Sequence, residues 1–186
     1  MKAMTPRARA FLEWAVGVLG SVGPQRFPEP IDPSAFGLPE GLARLRRDQD
    51  WQEEDVWSTP AFRASLFLMP AGRTMPIHDH PGMDVLLKVL WGQVRIRSYD
   101  WAEGRPGHAR ATSDRIVSPA DDPQRLGPRS HNLHRLDALE DSAFLDVCAP
   151  DYSEEDGRPC RYYVEEEVVG LEGDTLVRLR STPAPQ

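Results

Sequence analysis

The sequence predicts an all-β body, a barrel or a sandwich, with helices packed at one end. Three observations predict it. After Trp51 the chain breaks into short β-prone runs separated by turns, at 62–69, 84–90, 93–99, 110–117, 132–138, 143–148, 161–169 and 174–180. Many short strands at such spacing close into a sandwich or barrel. Before Trp51 the apolar residues instead recur with a helical period. The 186 residues, 40% hydrophobic and 27% charged, suit one globular body with one core.

Ala8, Phe11, Leu12, Ala15, Val16 and Leu19 fall on one helical face between Pro6 and Leu19, and Gly20, Gly23 and Pro24 end the pattern. Glu13 and Trp14 interrupt the stretch from Phe11 to Gly20 and no convincing cleavage site follows, so it reads as an amphipathic helix and not as a leader. Residues 23–39, rich in Pro and Gly, read as a linker, and Pro39 to Gln49 as a short helix with Leu42 and Leu45 inward. Residues 1–50 are therefore expected to be a helical extension on the barrel, and 51–186 the barrel domain. Gly92 and Gln93 fit a tight hairpin between 85–90 and 94–99. The proline-containing stretches 118–129 and 149–159 read as loops.

A formal charge of -7 argues against a nucleic-acid partner, because phosphate binding needs clustered Lys and Arg, and Asp48 and Asp50 dilute the densest cluster, Arg44, Arg46 and Arg47. No run approaches the roughly 18 apolar residues of a bilayer span, so no membrane association is expected. Two cysteines, Cys148 and Cys160, cannot build a disulfide framework, which points to the cytoplasm. A monomer is expected.

His78 and His80 stand two apart, and in an extended segment both side chains reach the same side, where two imidazoles can share a metal. A third histidine must come from later in the chain. His131 and His134 are the candidates, since His108 lies in a loop flanked by Gly and Pro; His134 opens a strand-like run and His131 precedes it. Three neutral imidazoles leave a divalent metal its full charge and up to three open positions, which suits an anionic thiolate together with dioxygen. Imidazole ligation alone also permits zinc or nickel.

Gly72, five residues, the His78-x-His80 pair and the later Gly92 resemble the first cupin motif. The slot where cupins commonly carry Glu holds Val85, and Asp84 beside it falls on the opposite side of the pleat, which makes it a solvent or supporting residue. The run His78-Asp79-His80-Pro81-Gly82-Met83, continuing through Lys88-Val89-Leu90-Trp91-Gly92 to Ser98-Tyr99-Asp100-Trp101, closely resembles the cysteamine dioxygenase and plant cysteine oxidase family. So do Asn132-Leu133-His134, Phe144-Leu145-Asp146-Val147, Ala149-Pro150, Tyr152, Asp156-Gly157-Arg158 and Cys160-Arg161-Tyr162-Tyr163, in order over about residues 62–165.

The resemblance implies a double-stranded β-helix holding Fe(II), with a terminal thiol oxidised to a sulfinate by dioxygen. It implies His78, His80 and His134 as the iron ligands and Asp146 and Tyr152 as supporting or substrate-pocket residues. It also implies Cys160 and Tyr162 as the pair that becomes covalently linked in some members. The substrates implied are a small aminothiol such as cysteamine or a peptide with an N-terminal cysteine, and nothing in the sequence chooses between them. This chain departs from the family in having Asp84 where a small uncharged residue is usual, and His131 where glycine is usual.

Plainer roles stand beside these. Asp146 alternates with Phe144 and Cys148 on one face of a strand, and a carboxylate buried alone costs several kcal/mol, so it needs a structural hydrogen bond, a ligand histidine or a substrate ammonium. Tyr152 taken by itself is a packing tyrosine, and Cys148 a small buried hydrophobe. Trp57, Trp91 and Trp101 read as core. Among Arg63, Arg73, Arg95 and Arg97, any of which suits a substrate carboxylate, nothing selects one. A non-catalytic ligand-sensing cupin and a zinc or nickel isomerase are the rival functions.

Overall fold

The computed structural model describes residues 5–19, 33–36, 38–59, 61–171 and 174–185. Helix α1, Pro6–Val18, starts where the Thr5 hydroxyl accepts from the Ala8 amide and proline occupies the first turn, and it buries Ala8, Phe11, Leu12 and Ala15. A 3-10 turn, Pro33–Phe36, and a short helix α2, Leu38–Ala43, follow. Most of the linker expected at 23–39 lies outside the described residues. Eleven strands complete the described chain: β1 Gln52–Thr59, β2 Phe62–Met69, β3 Thr74–Asp79, β4 Asp84–Trp91, β5 Val94–Trp101, β6 His108–Val117, β7 Gln124–Leu126, β8 Leu133–Ala138, β9 Ser142–Ala149, β10 Tyr162–Leu171 and β11 Asp174–Thr182.

They form two antiparallel sheets, one ordered β1-β2-β9-β4-β7 and one ordered β10-β11-β6-β5-β8-β3. The two face each other as the double-stranded β-helix that the sequence implies. The first sheet is apolar on both sides. Leu66, Leu86, Leu90, Leu145 and Val147 pack outward against Phe11, Leu12 and Ala15, while Leu87, Val89 and Phe144 pack inward against Ile96 and Leu136 of the other sheet. The strands β4 and β9 therefore read as nearly unbroken hydrophobic runs. Helix α1 packs on this outer face through Phe11, Leu12 and Ala15, covering apolar surface that would otherwise meet water.

The expected hairpin at Gly92 is a different kind of turn. Strands β4 and β5 do not pair with each other; β4 pairs with β9 and β7, and β5 with β6 and β8. The two-residue link carries the chain from one sheet to the other. Gly92 is required there twice over, by its φ of 72° and by a Cβ position that would fall 2.4 Å from the Asp141 carbonyl oxygen. Strands β1, β3 and β7 were not among the sequence-predicted runs; β7 sits inside the stretch expected as a loop, and β3 carries His78.

Candidate metal centre

His78 stands near the end of β3 and His80 just beyond it, both turned to the interior, and the register that pairs β3 with β8 sets His134 directly opposite His78. Nε2 of His134 lies 2.8 Å from Nε2 of His78 and 3.0 Å from Nε2 of His80. All three residues are buried. Burial pushes protonation of His78 down to about 4 and holds His80 and His134 well below the ordinary imidazole range, the latter two aided by neighbouring histidines. The rings are neutral at pH 7.

Their outer nitrogens are fixed from behind. Nδ1–H of His78 donates to the Pro76 carbonyl at 3.0 Å. That of His80 donates to the Tyr152 hydroxyl at 2.7 Å, which donates in turn to the Asp79 carbonyl at 3.0 Å. With the proton on Nδ1, Nε2 of both rings presents a lone pair, and lone pairs this close are tolerable only around a cation. Donors arranged on one face of an octahedral divalent metal, with bonds of about 2.1 Å, are separated by about 3 Å. The three histidines fit a metal.

The surrounding chain is built to hold this arrangement. The Asn132 side-chain amide donates to the His80 carbonyl at 2.6 Å while the His80 amide donates to the Asn132 carbonyl at 3.0 Å, so the segment before β8 clamps the end of β3. Asp79, between the two histidines and facing outward, accepts from the Tyr163 hydroxyl and the Arg161 amide, both at 2.9 Å. These contacts tie β10 to β3. Sequence reasoning assigned no role to Asn132 or Asp79. The signal for Asp79 was its place between two inward residues, which turns it to the opposite face where a buried carboxylate needs partners.

A cavity of about 130 Å³ opens beside His78 and His80. Its far wall comes from the first sheet, where Asp146 sits in register between Ser65 of β2 and Leu87 of β4. Cys148, Tyr152, Cys160 and Tyr162 close its sides, and Glu53, Arg63 and Asp151 line its rim. Asp146 is buried, Oδ1 has no hydrogen-bond partner among the described residues, and burial reinforced by Glu53 pushes its carboxyl up to about 8. Cys148 is buried as expected, yet it faces this cavity with Sγ 3.9 Å from Nδ1 of His80. Cys160 lines the cavity together with Tyr152 and Tyr162, and burial raises its thiol to about 11.

The remaining candidates fall elsewhere. His131 adopts φ 54°, which accounts for a glycine being usual there; its amide bonds Asp100, and Nδ1 lies 2.8 Å from the Thr112 hydroxyl, apart from the triad. Asp84 points away from the metal ligands and pairs with Arg125 at 3.1 Å, while Val85 is buried. Of the four arginines only Arg63 borders the cavity, held by Asp55 and Glu53; Arg73, Arg95 and Arg97 pair with Asp50, Asp114 and Asp137. Trp91 and Trp101 are not core but 48% and 41% exposed, because strand ends and sheet outer faces are open there. Trp57 does pack against the helix side of the first sheet.

Comparison with known proteins points to one family. The PCO_ADO family model matches residues 40–182. A 2-aminoethanethiol dioxygenase of Mus musculus is 36% identical, over 58% of this chain and 52% of that protein. Plant cysteine oxidase 1 of Arabidopsis thaliana is 34% identical, over 56% of this chain and 38% of that protein. The chain thus spans about half the length, or less, of the curated relatives it matches. Among solved structures, a cupin superfamily protein of Desulfitobacterium hafniense covers 69% of this chain and 94% of its own at 18% identity, with a TM-score of 0.46. With a match extending over residues 40–182, the chain belongs to the PCO_ADO family.

Proposed function

We propose that the protein is a non-haem iron(II) thiol dioxygenase acting on an aminothiol, either cysteamine or the N-terminal cysteine of a peptide, by R–SH + O2 → R–SO2H. The observation that carries this reading is a buried carboxyl, Asp146, with Oδ1 unpartnered among the described residues, facing His78 and His80 of the three converging neutral imidazoles across a small cavity. His78, His80 and His134 would hold the iron. Iron(II) ligated only by neutral groups keeps its full charge and open positions for a thiolate and dioxygen together.

The chain's own residues supply the selectivity. A substrate ammonium two carbons from sulfur satisfies Asp146, whose carboxylate otherwise has no partner. Glu53 and Asp151 at the rim add negative potential, and Arg63 is already held by Asp55 and Glu53, so a cationic substrate is favoured over one bearing a carboxylate beside sulfur. Tyr152 keeps the His80 ring in the tautomer that offers Nε2. Cys160 and Tyr162 form the wall beside His78.

Residues 51–186 make up the catalytic barrel and 1–50 an extension packed on it, in a monomer of the cytoplasm. No helix of the described residues is long and apolar enough to cross a membrane. The deciding experiment is oxygen uptake by iron-loaded protein with cysteamine, cysteine, 3-mercaptopropionate and a Cys-initiated peptide, alongside metal analysis. Uptake is expected with cysteamine or the peptide. Preference for 3-mercaptopropionate, which has no amine, or activity with zinc or nickel and no oxygen consumption, would overturn the reading.

A further inference from the structure

The three imidazoles differ in what stands behind them. His78 and His80 each give Nδ1–H to a protein acceptor, whereas Nδ1 of His134 is buried with no partner among the described residues. His134 also borders a second cavity, of about 530 Å³, on the side away from Asp146. Ser98 and Ser113 line that cavity with it.

Register explains why these groups meet. His134 is paired with His78 on one side and with Ser98 of β5 on the other, and Ser98 is paired with Ser113 of β6. A polar row therefore runs across the inner face of the second sheet, from Tyr162 through His78, His134 and Ser98 to Ser113. Directly opposed residues on neighbouring strands have Cβ atoms about 4.5–5.5 Å apart. Ser98 is therefore the neighbour that β5 sets against His134, on the side opposite His78. Ser98 is buried on the face of β5 that also carries the buried Val94 and Ile96, where a serine has no packing advantage.

We propose that Ser98 is the positioning residue for His134: its hydroxyl accepts the Nδ1–H proton, holding the ring in the tautomer that turns Nε2 toward the metal, and donates its own hydrogen into the second cavity. The hydroxyl suits this role because it accepts and donates at once and adds no charge behind a metal ligand. Ser113, one strand further out, lines the same cavity but is not opposed to a ligand. This assignment rests on the metal reading above and adds to it the one support that the third histidine lacks.

Titration of the metal-free protein with cobalt(II), followed by the visible absorption of the bound ion, tests it. Ser98→Ala is expected to weaken cobalt binding about 10- to 100-fold, the usual effect of losing such an outer partner, and to shift the absorption bands. Ser98→Thr, which keeps the hydroxyl, should bind and absorb like wild type, and so should Ser113→Ala, which alters the cavity alone. Wild-type affinity and spectrum in Ser98→Ala, equal losses in Ser98→Ala and Ser113→Ala, or a Thr variant as weak as the Ala variant would each overturn the assignment. Wild-type protein that takes up no cobalt would instead remove the metal reading itself, and this inference with it.

Discussion

The two inner faces that meet across the substrate cavity are built on opposite plans. The second sheet carries the histidines within a network: Pro76 and Tyr152 stand behind His78 and His80, Asn132 clamps the strand ends, and Asp79 on the outer side ties in Tyr163 and Arg161. The first sheet is largely apolar, and where it meets the cavity Glu53 and Arg63 are paired with each other, whereas Oδ1 of Asp146 has no partner among the described residues. Holding a metal needs several donors fixed in place before the ion arrives, and a network supplies that. Recognising a charged substrate needs a group whose partner is absent until the substrate brings it. Changes on the second sheet should therefore act on the metal, and changes on the first on the substrate.

The harshest way to break this division is at the ligands. His78→Ala, His80→Ala or His134→Ala should abolish both tight iron(II) binding and oxygen uptake, as metal analysis and an oxygen electrode would show; full iron occupancy in all three would remove the metal centre from the account. Asp146→Asn should separate the two functions. Iron content should stay at the wild-type level while kcat/KM for cysteamine falls by about 30- to 5,000-fold, the equivalent of the roughly 2–5 kcal/mol lost when one partner of a buried charge pair is removed. Loss of iron in this variant would place Asp146 with the metal after all.

The pH dependence sharpens the same contrast. In the ligand-free cavity Asp146 holds its proton up to about pH 8, so an ammonium can pair with it only after that proton leaves. Affinity for cysteamine should weaken as pH falls below about 8, and both Asp146→Asn and the amine-free 3-mercaptopropionate should lack that component. Stability runs the other way. The folded pKa lies above the unfolded value of 3.8, so the stabilisation from a protonated Asp146 is complete below about pH 4 and is lost as pH rises through about 8. Melting of metal-free protein should record this loss, and Asp146→Asn should not show it. A smaller effect is expected at Tyr152. Replacing it with Phe removes the acceptor for Nδ1–H of His80, which should weaken iron affinity about tenfold and leave the KM for cysteamine nearly unchanged.

How far the sequence disclosed this arrangement depended on the range of the interactions involved. Strands β4, β5 and β9 were legible because their patterns are local, and the His78-x-His80 pair because alternation in an extended chain is local too. Strand β3 itself was missed, since Pro76 interrupts its β-prone pattern and its pairing with β8 and β10 is long-range. The sheet change at Gly92 was invisible for a related reason: a two-residue glycine turn looks the same whether its flanking strands pair with each other or with others. The residues alone left His131 beside His134; the Asn132-Leu133-His134 resemblance chose His134, and the register across β8 and β3 is what sets it opposite His78. The unpartnered state of Asp146 belongs to the same class, because nothing local says which atoms surround a carboxylate on the inner face of a barrel.

The smallest expected effect concerns Cys160 and Tyr162, which close the cavity beside the triad. On a regular strand, residues two apart have Cβ atoms about 6–7 Å from each other, too far for a bond between their side chains. Strand β10 begins only at Tyr162, so Cys160 precedes it and escapes that spacing, and both residues line the same cavity. A thioether between sulfur and the tyrosine ring would remove one hydrogen from each residue, a two-electron oxidation for which iron and dioxygen are the oxidant. The link should then accumulate with turnover and be absent from protein produced without iron. Mass spectrometry of the peptide spanning both residues should show the loss of two hydrogens, and Tyr162→Phe should prevent it. Activity should change by no more than a few-fold, since neither residue is a ligand and neither meets the substrate ammonium. An unmodified peptide after many turnovers would leave the pair as packing, and the contrast between the two sheets would stand without it.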